Sequence, residues 1–266
     1  MNPAQTSPLP ELRQKNLLLV MAYDGSEFCG WQRQKSDPTI QQTIEEVLAR
    51  MTRQKITLNG SGRTDSGVHA WGQTANFQCR TRLSAAEFFK ALNSMLPDSI
   101  VIRECREMPL KFHARFDVRS KTYVYHLHNH PLPRAAGRQY VWHIARPLTV
   151  PAMQRAADQL VGTHDFKAFE ASGSPRPHTR RTVSRAEFFR KKRGLLAFEI
   201  TADGFLRYMV RNIVGTLVDV GLGRISGADF AEILAGRDRF QAGITAPPQG
   251  LFLKCVDYDP ASLLQP

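Results

Sequence analysis

From residue 16 onward the apolar residues switch between two periods, and the order of those switches restricts the fold more than any other feature of the chain. "NLLLVMAYDG" has the apolar run of a strand, and in "TIQQTIEEVLARMT" Ile40, Ile44, Val47, Leu48 and Met51 recur at helical spacing. Two short alternating runs, "KITLNG" and "GQTANFQC", predict strands. A helix follows in "LSAAEFFKALNSMLP", opened by a Ser84/Glu87 capping box and stopped by Pro97, and then a strand in "SIVIRECREMP". The resulting order, β-α-β-β-α-β, is that of a split βαβ, ferredoxin-like unit.

The second half repeats the plan. "KTYVYHLHNHP" alternates as a strand and "TVPAMQRAADQLVG" has helical period. "RTVSRAEFFRKKRGLLAFEITA" predicts a hairpin across "RKKRG", "GFLRYMVRNIVGTLVDVG" a long amphipathic helix, and "GLFLKCVDYD" a last strand. The expected class is α+β: two ferredoxin-like units joined through a continuous, mainly antiparallel sheet, with helices on one face and a basic cleft on the other. Residues 1–15, with three prolines and no apolar core, are expected to form a loose tail and not a targeting peptide. Residues 16–110 are expected to form the first unit, which carries the glycine loop, and 111–266 the second. The polar, broken stretch "EASGSPRPHTRR", Glu170 to Arg181, is expected at the cleft rim, with "TRR" a better contact candidate than the "RKKRG" turn.

Charge narrows the partner. Lys plus Arg total 36 against 24 Asp plus Glu, a net charge of +12 with a pI near 9.9, which favours a polyanion such as nucleic acid. An anionic membrane is the rival, but no long apolar run or basic amphipathic helix with an aromatic face stands out. Cys29, Cys79, Cys105 and Cys255 are widely spaced, without a C-x-x-C pair, and are expected to be reduced and largely buried. His126, His128 and His130 alternate along one strand, yet no nearby carboxylate or cysteine completes a metal set, so no metal is expected.

Chemistry concentrates in "GSGRTDSGVH", Gly60 to His69, a strand connection too rich in glycine for an ordinary turn. Arg63 and Asp65, two residues apart, can project to one side. A neighbouring guanidinium lowers an Asp pKa by roughly 1–3 units, so Asp65 is expected to be ionised, a base or nucleophile and not an acid. On the loop alone, a turn-forming Asp is an equal reading.

Seven blocks now become meaningful together: "YDGSEFCGWQRQ", "GSGRTDSGVHA", "ALNSMLPDSI", "FHARFDVRSKTYVY", "GTHDFKAF", "GFLRYMVRNIVG" and "APPQGLFL". In composition and order they resemble the signature blocks of the tRNA pseudouridine synthase A (TruA) family, over nearly the whole chain beyond the tail. The resemblance implies a cytoplasmic, homodimeric isomerase that needs no metal or cofactor. Its substrate would be uridine on the 3′ side of the anticodon stem-loop of tRNA (positions 38, 39 and 40). Asp65 matches the family's catalytic aspartate, attacking C1′ or removing the 2′ proton. Arg63 matches the arginine that helps turn the target nucleotide out of its stack; otherwise it is a solvated neighbour. Tyr123 is placed under the uracil, where a strand tyrosine is otherwise a core aromatic. Arg211 is assigned to an ion pair with the aspartate, where an arginine at a helix edge otherwise snorkels. Leu251 matches an apolar wall of the site or is plain core. Ser66 stands where alanine is usual, and Trp71 where a smaller aliphatic is common; both touch local packing and not chemical groups.

The competing function is a non-catalytic RNA-binding protein, since two such units with a basic surface could grip a stem-loop. Against it, the aromatic stretch of RNA-recognition sheets is missing, and Asp65 with Arg211 has no use in binding alone. DNA recognition is weaker still, with no helix-turn-helix or zinc-finger spacing.

Overall fold

A computed structural model describes residues 11–171, 173 and 178–259. The first half contributes β1 (Arg13–Tyr23), α1 (Ile40–Thr52), β2 (Asn59–Gly60), β3 (His69–Thr81), α2 (Ala85–Met95) and β4 (Ile100–Met108). The second contributes β5 (Val118–Asn129), β6 (Trp142–Ile144), α3 (Val150–Asp158), β7 (Gly162–Asp165), β8 (Arg180–Arg190), β9 (Leu195–Ala202), α4 (Met209–Gly221), α5 (Gly227–Gly236) and β10 (Leu251–Tyr258). One sheet runs in the order β4-β1-β3-β10-β5-β9-β8-β7, with β2 beside β3 and β6 beside β5. Its pairs are antiparallel except β3–β10 and β5–β6. The orders β4-β1-β3 and β10-β5-β9-β8 are those of two ferredoxin-like units, as the period changes predicted.

The helix ends follow from local chemistry. Thr39 caps α1 by accepting from the Gln42 amide, and the Ser84/Glu87 capping box closes the start of α2. Helix α5 was not anticipated, although Ser226 and Asp229 form a second capping box at its start. The tail expectation holds for none of residues 13–15, which already belong to β1; residues 1–10 lie outside the described residues.

Strand parity decides which side the pocket is on. Leu17, Leu19 and Met21 of β1, Phe77 of β3, Tyr125 and Leu127 of β5, Phe198 of β9 and Leu253 of β10 point into one core with the apolar stripes of all five described helices. Tyr123 and Leu251 share that parity. The candidate site therefore opens on the helix-bearing side, and the sequence expectation of a cleft on the opposite face is corrected. Each unit's helices cover mainly their own strands, and the cavity lies between, bordered by Gln41 of α1 and by Met209, Val210 and Arg211 of α4.

The opposite face is partly covered. Asn16 on β1 donates to the carbonyls of Pro109 and Phe112 (both 2.9 Å), and Asn76 on β3 accepts from the Ala114 amide (2.9 Å). This buried asparagine pair holds the 109–114 segment over Leu18, Met108 and Tyr258. Farther along, Phe252, Val124 and Ala197 pack with Trp71 and Tyr140.

Candidate active site

The glycine loop leaves the sheet where β3 changes partner. Only Asn59 and Gly60 of "KITLNG" pair with β3, opposite Asn76 and Ala75, whereas β10 pairs at His69 and Ala70. Between those two pairings the Ser61 amide donates to the Thr74 carbonyl (2.9 Å), and the chain turns away as residues 61–68. The glycines serve different ends. A Cβ on Gly60 would lie 2.6 Å from the Trp31 indole, and Gly67 sits at φ +73°, where an L side chain is strained.

The loop is gripped along its length. Gln73 of β3 accepts from the Ser61 hydroxyl (2.7 Å) and donates to the Gly62 carbonyl (3.0 Å). Lys121 Nζ donates to the Ser61 carbonyl (2.6 Å), the Thr64 hydroxyl meets that of Tyr23 (2.8 Å), and the Trp31 amide donates to the Thr64 carbonyl (3.0 Å). Tyr23, Trp31, Gln73 and Lys121 were all missed as site residues, although Tyr23 and Trp31 fall inside one signature block and Lys121 two residues before Tyr123. Burial, with the nearby Arg115 and Arg181 charges, pushes the Lys121 ammonium down to about 8.

Asp65 thus sits on a fixed support, its side chain 26% exposed. Arg211 Nη1 approaches Asp65 Oδ2 at 3.4 Å, while Arg211 Nε donates to the Ala246 carbonyl (2.7 Å). The pair is single-point and not the two-pronged fork that an arginine and a carboxylate can form, which leaves the second Asp65 oxygen for another partner. Arg63 is not the cation that matters to Asp65. It is exposed, lines the cavity and has no hydrogen bond or ion pair with the described residues. The expected downward shift is also corrected. Burial raises the Asp65 carboxyl above its ordinary value, and Arg211 and Arg207 offset only part of that.

Tyr123 is 7% exposed, lines the cavity, and meets Phe205 edge-on at 5.0 Å between centroids. Its hydroxyl has no hydrogen-bond partner among the described residues, and burial holds the phenol well above its usual pKa, hence protonated. Leu251, also buried, completes a wall. The structure therefore brings Asp65, Arg211, Tyr123, Leu251 and Arg63 to one cavity of about 1150 Å³. Arg207 and Tyr208 join them; Tyr208 caps α4 at φ 63° with the Arg207 and Arg211 guanidinium carbons 4.9 and 4.8 Å from its ring centre.

Other candidates fall elsewhere. His178 and Arg181 line the cavity, while residues 172 and 174–177 of the proposed rim loop lie outside the described residues. The "RKKRG" turn joins β8 to β9 and is not part of the lining. His126 faces away from Tyr123, against Trp71 and Phe252, and burial pushes it down to about 4, so it is neutral near pH 7. His128 stacks on His130 at 5.5 Å, and no metal-holding group of three His, Cys, Asp or Glu occurs among the described residues. The four cysteines are free, Cys79 buried and the others half-buried. The Ser66 hydroxyl bonds the Phe28 carbonyl (3.3 Å), away from the Asp65–Arg211 contact. No helix among the described residues is long and apolar enough to cross a membrane.

A family model described as tRNA pseudouridine synthase matches residues 19–117 and 156–259. Among curated proteins, the chain is 44% identical over 244 residues to a tRNA pseudouridine synthase A of Thermoanaerobacter sp. (strain X514), covering 92% of this chain and 100% of that one. It is also 44% identical to the tRNA pseudouridine synthase A of Methylacidiphilum infernorum, over 91% of this chain and 95% of that one. The signature blocks, the cavity they build and these matches agree: the chain belongs to the tRNA pseudouridine synthase family.

Proposed function

We propose that this chain isomerises uridine to pseudouridine in tRNA, on the 3′ side of the anticodon stem-loop, with Asp65 as its catalytic residue. The observation that carries the proposal is Asp65 itself, among the described residues the one carboxylate lining a cavity walled by Tyr123 and Leu251. The reaction breaks the N1–C1′ bond, turns the freed uracil, forms the C5–C1′ bond and releases the C5 proton. Asp65 serves the first step by attacking C1′ or by taking the 2′ proton. Arg211, held by the Ala246 carbonyl, keeps a positive charge against the carboxylate when it ionises. The Tyr123 ring and the Leu251 side chain form apolar surfaces against which the detached base can turn without escaping. Arg63, exposed at the cavity lining, holds the displaced phosphate of the everted nucleotide.

The partner follows the same reading: tRNA, bound by a homodimer in which one subunit grips the body of the molecule while the other acts on its anticodon arm. The test is to incubate the protein with unmodified tRNA transcripts, map pseudouridine before and after, and sediment the same preparation. New pseudouridine confined to the anticodon arm, made by a dimer, is expected. Absence of pseudouridine would overturn the activity, pseudouridine elsewhere the site, and an active monomer the assembly.

Tyr123 offers a sharper check on the wall. Ala at 123 is expected to weaken the productive complex by about 1–3 kcal/mol, the value of one base stack. It should cost less stability than the ~3–5 kcal/mol of emptying a closed aromatic core site, because the ring already borders a cavity. Phe keeps the stack and removes an unpartnered hydroxyl, so it should stay close to wild type in both respects. A urea midpoint and a single-turnover rate for each variant decide the matter. A large midpoint drop for Ala with normal activity per folded molecule would return Tyr123 to the core.

A further inference from the structure

The cavity, at about 1150 Å³, exceeds the roughly 300–1,000 Å³ of pockets that enclose one small molecule. The surfaces assigned to the uracil, Tyr123 and Leu251, are buried. Among the other aromatics of the same lining, Phe116, between β4 and β5, is in the opposite condition, 73% exposed.

That exposure is built in. Ala114, two residues earlier, is buried, with its amide bonded to Asn76 Oδ1 (2.9 Å) and its carbonyl accepting from the Tyr258 hydroxyl (2.8 Å). The turn then closes on itself, the Phe116 and Asp117 amides donating to the His113 carbonyl (both 3.1 Å) and Asp117 Oδ2 accepting from the His113 amide (2.9 Å). The Phe116 ring lies 4.3 Å from the His113 ring, and the Arg115 guanidinium carbon is 5.7 Å from its centre. An apolar ring is thus presented to water on a braced turn beside a cation. Arg115, Lys121 and Arg181 bring positive charge to the same lining, whose one carboxylate among the described residues is Asp65. A flat apolar face next to guanidinium groups suits an unpaired base with its phosphate, because every base has a stackable face and the cations meet the backbone.

We propose that Phe116 is the stacking platform for an unpaired base next to the target uridine, with Arg115 on the adjoining phosphate. The inference rests on the activity proposed above. Everting a uridine strips its neighbour of one stacking partner, and Phe116 replaces that partner at the cavity. It is a positioning residue: it sets where the strand lies while Asp65 acts.

The experiment compares wild type, Phe116→Leu and Phe116→Trp on an anticodon stem-loop RNA carrying 2-aminopurine beside the target uridine. Wild type and Trp are expected to quench the 2-aminopurine on binding, and Leu is not. Leu should weaken RNA binding by roughly 5- to 150-fold, the range of one lost base stack. The loss should be larger in KM than in kcat, and Trp should recover most of it. Urea midpoints should match, because the ring is exposed. Equal quenching and affinity for Leu and wild type would overturn the proposal. So would a Leu variant whose defect is dissociation into monomers, which would assign the ring to a second copy of the chain. Wild-type activity in the same assay separates these outcomes from failure of the isomerase assignment, which would show as no pseudouridine with any protein.

Discussion

Asp65→Asn is expected to fold and bind tRNA while losing turnover by on the order of 10³-fold or more. Among the described residues no second carboxylate lines the cavity to substitute for it. The same change should stabilise the protein at neutral pH. Burial raises the Asp65 pKa in the folded chain, so the folded state favours the protonated acid. The stability that preference contributes is complete below the unfolded-chain pKa and is lost as pH rises through the folded one. At pH 7 the ionised carboxylate therefore costs stability, and Asn removes the cost. Urea titrations should give the variant the higher midpoint at pH 7, with the difference closing in acid. In wild type, the rate should decline in acid from a pH above the ordinary aspartate range, because the reacting form is the anion. Substantial pseudouridine formation by Asp65→Asn in a single turnover would sink the assignment.

Affinity for tRNA is expected to fall on the order of 10³-fold between about 50 and 200 mM salt, as for about six neutralised phosphates, and somewhat less for a partly single-stranded target. Arg63, Arg115, Lys121, Arg181, Arg207 and Arg211 line the cavity against the single charge of Asp65. The chain as a whole carries +12. Filter-binding titrations across salt would show the slope, and Arg63→Gln should lower it by roughly one unit. A nearly flat dependence would contradict a basic RNA-binding cavity.

The parts legible in the sequence were those with local causes. The period of Ile40, Ile44, Val47 and Leu48 marked α1, the Ser84/Glu87 box marked α2, and Leu206, Met209, Val210, Ile213 and Leu217, all buried, marked the stripe running into α4. Misreadings arose where distant segments meet. Arg63 is the near neighbour of Asp65 in sequence, but the guanidinium in contact with it comes from Arg211, 146 positions away. The sequence neighbour suggests a lowered Asp65 pKa, while burial sets the opposite direction. Strand alternation puts Tyr123 and His126 on opposite faces but does not say which side carries the helices. Gln73 and Lys121 act by reaching Ser61 and Gly62 across strands, so their roles depend on the order β3-β10-β5, which no local pattern encodes.

The place of β10 in that order bears on how the chain is made. It lies between β3 and β5, yet it is the last strand of the described residues to leave the ribosome. Until it arrives, one edge of β3 and one edge of β5 expose unpaired backbone groups, the condition under which nascent chains pair with the wrong partner. The first unit can close on itself, and most of the second can follow, but the wall formed by Leu251 comes with β10. A chain released shortly before residue 251 would therefore carry two nearly finished halves with sticky inner edges and no enclosed place for a detached base.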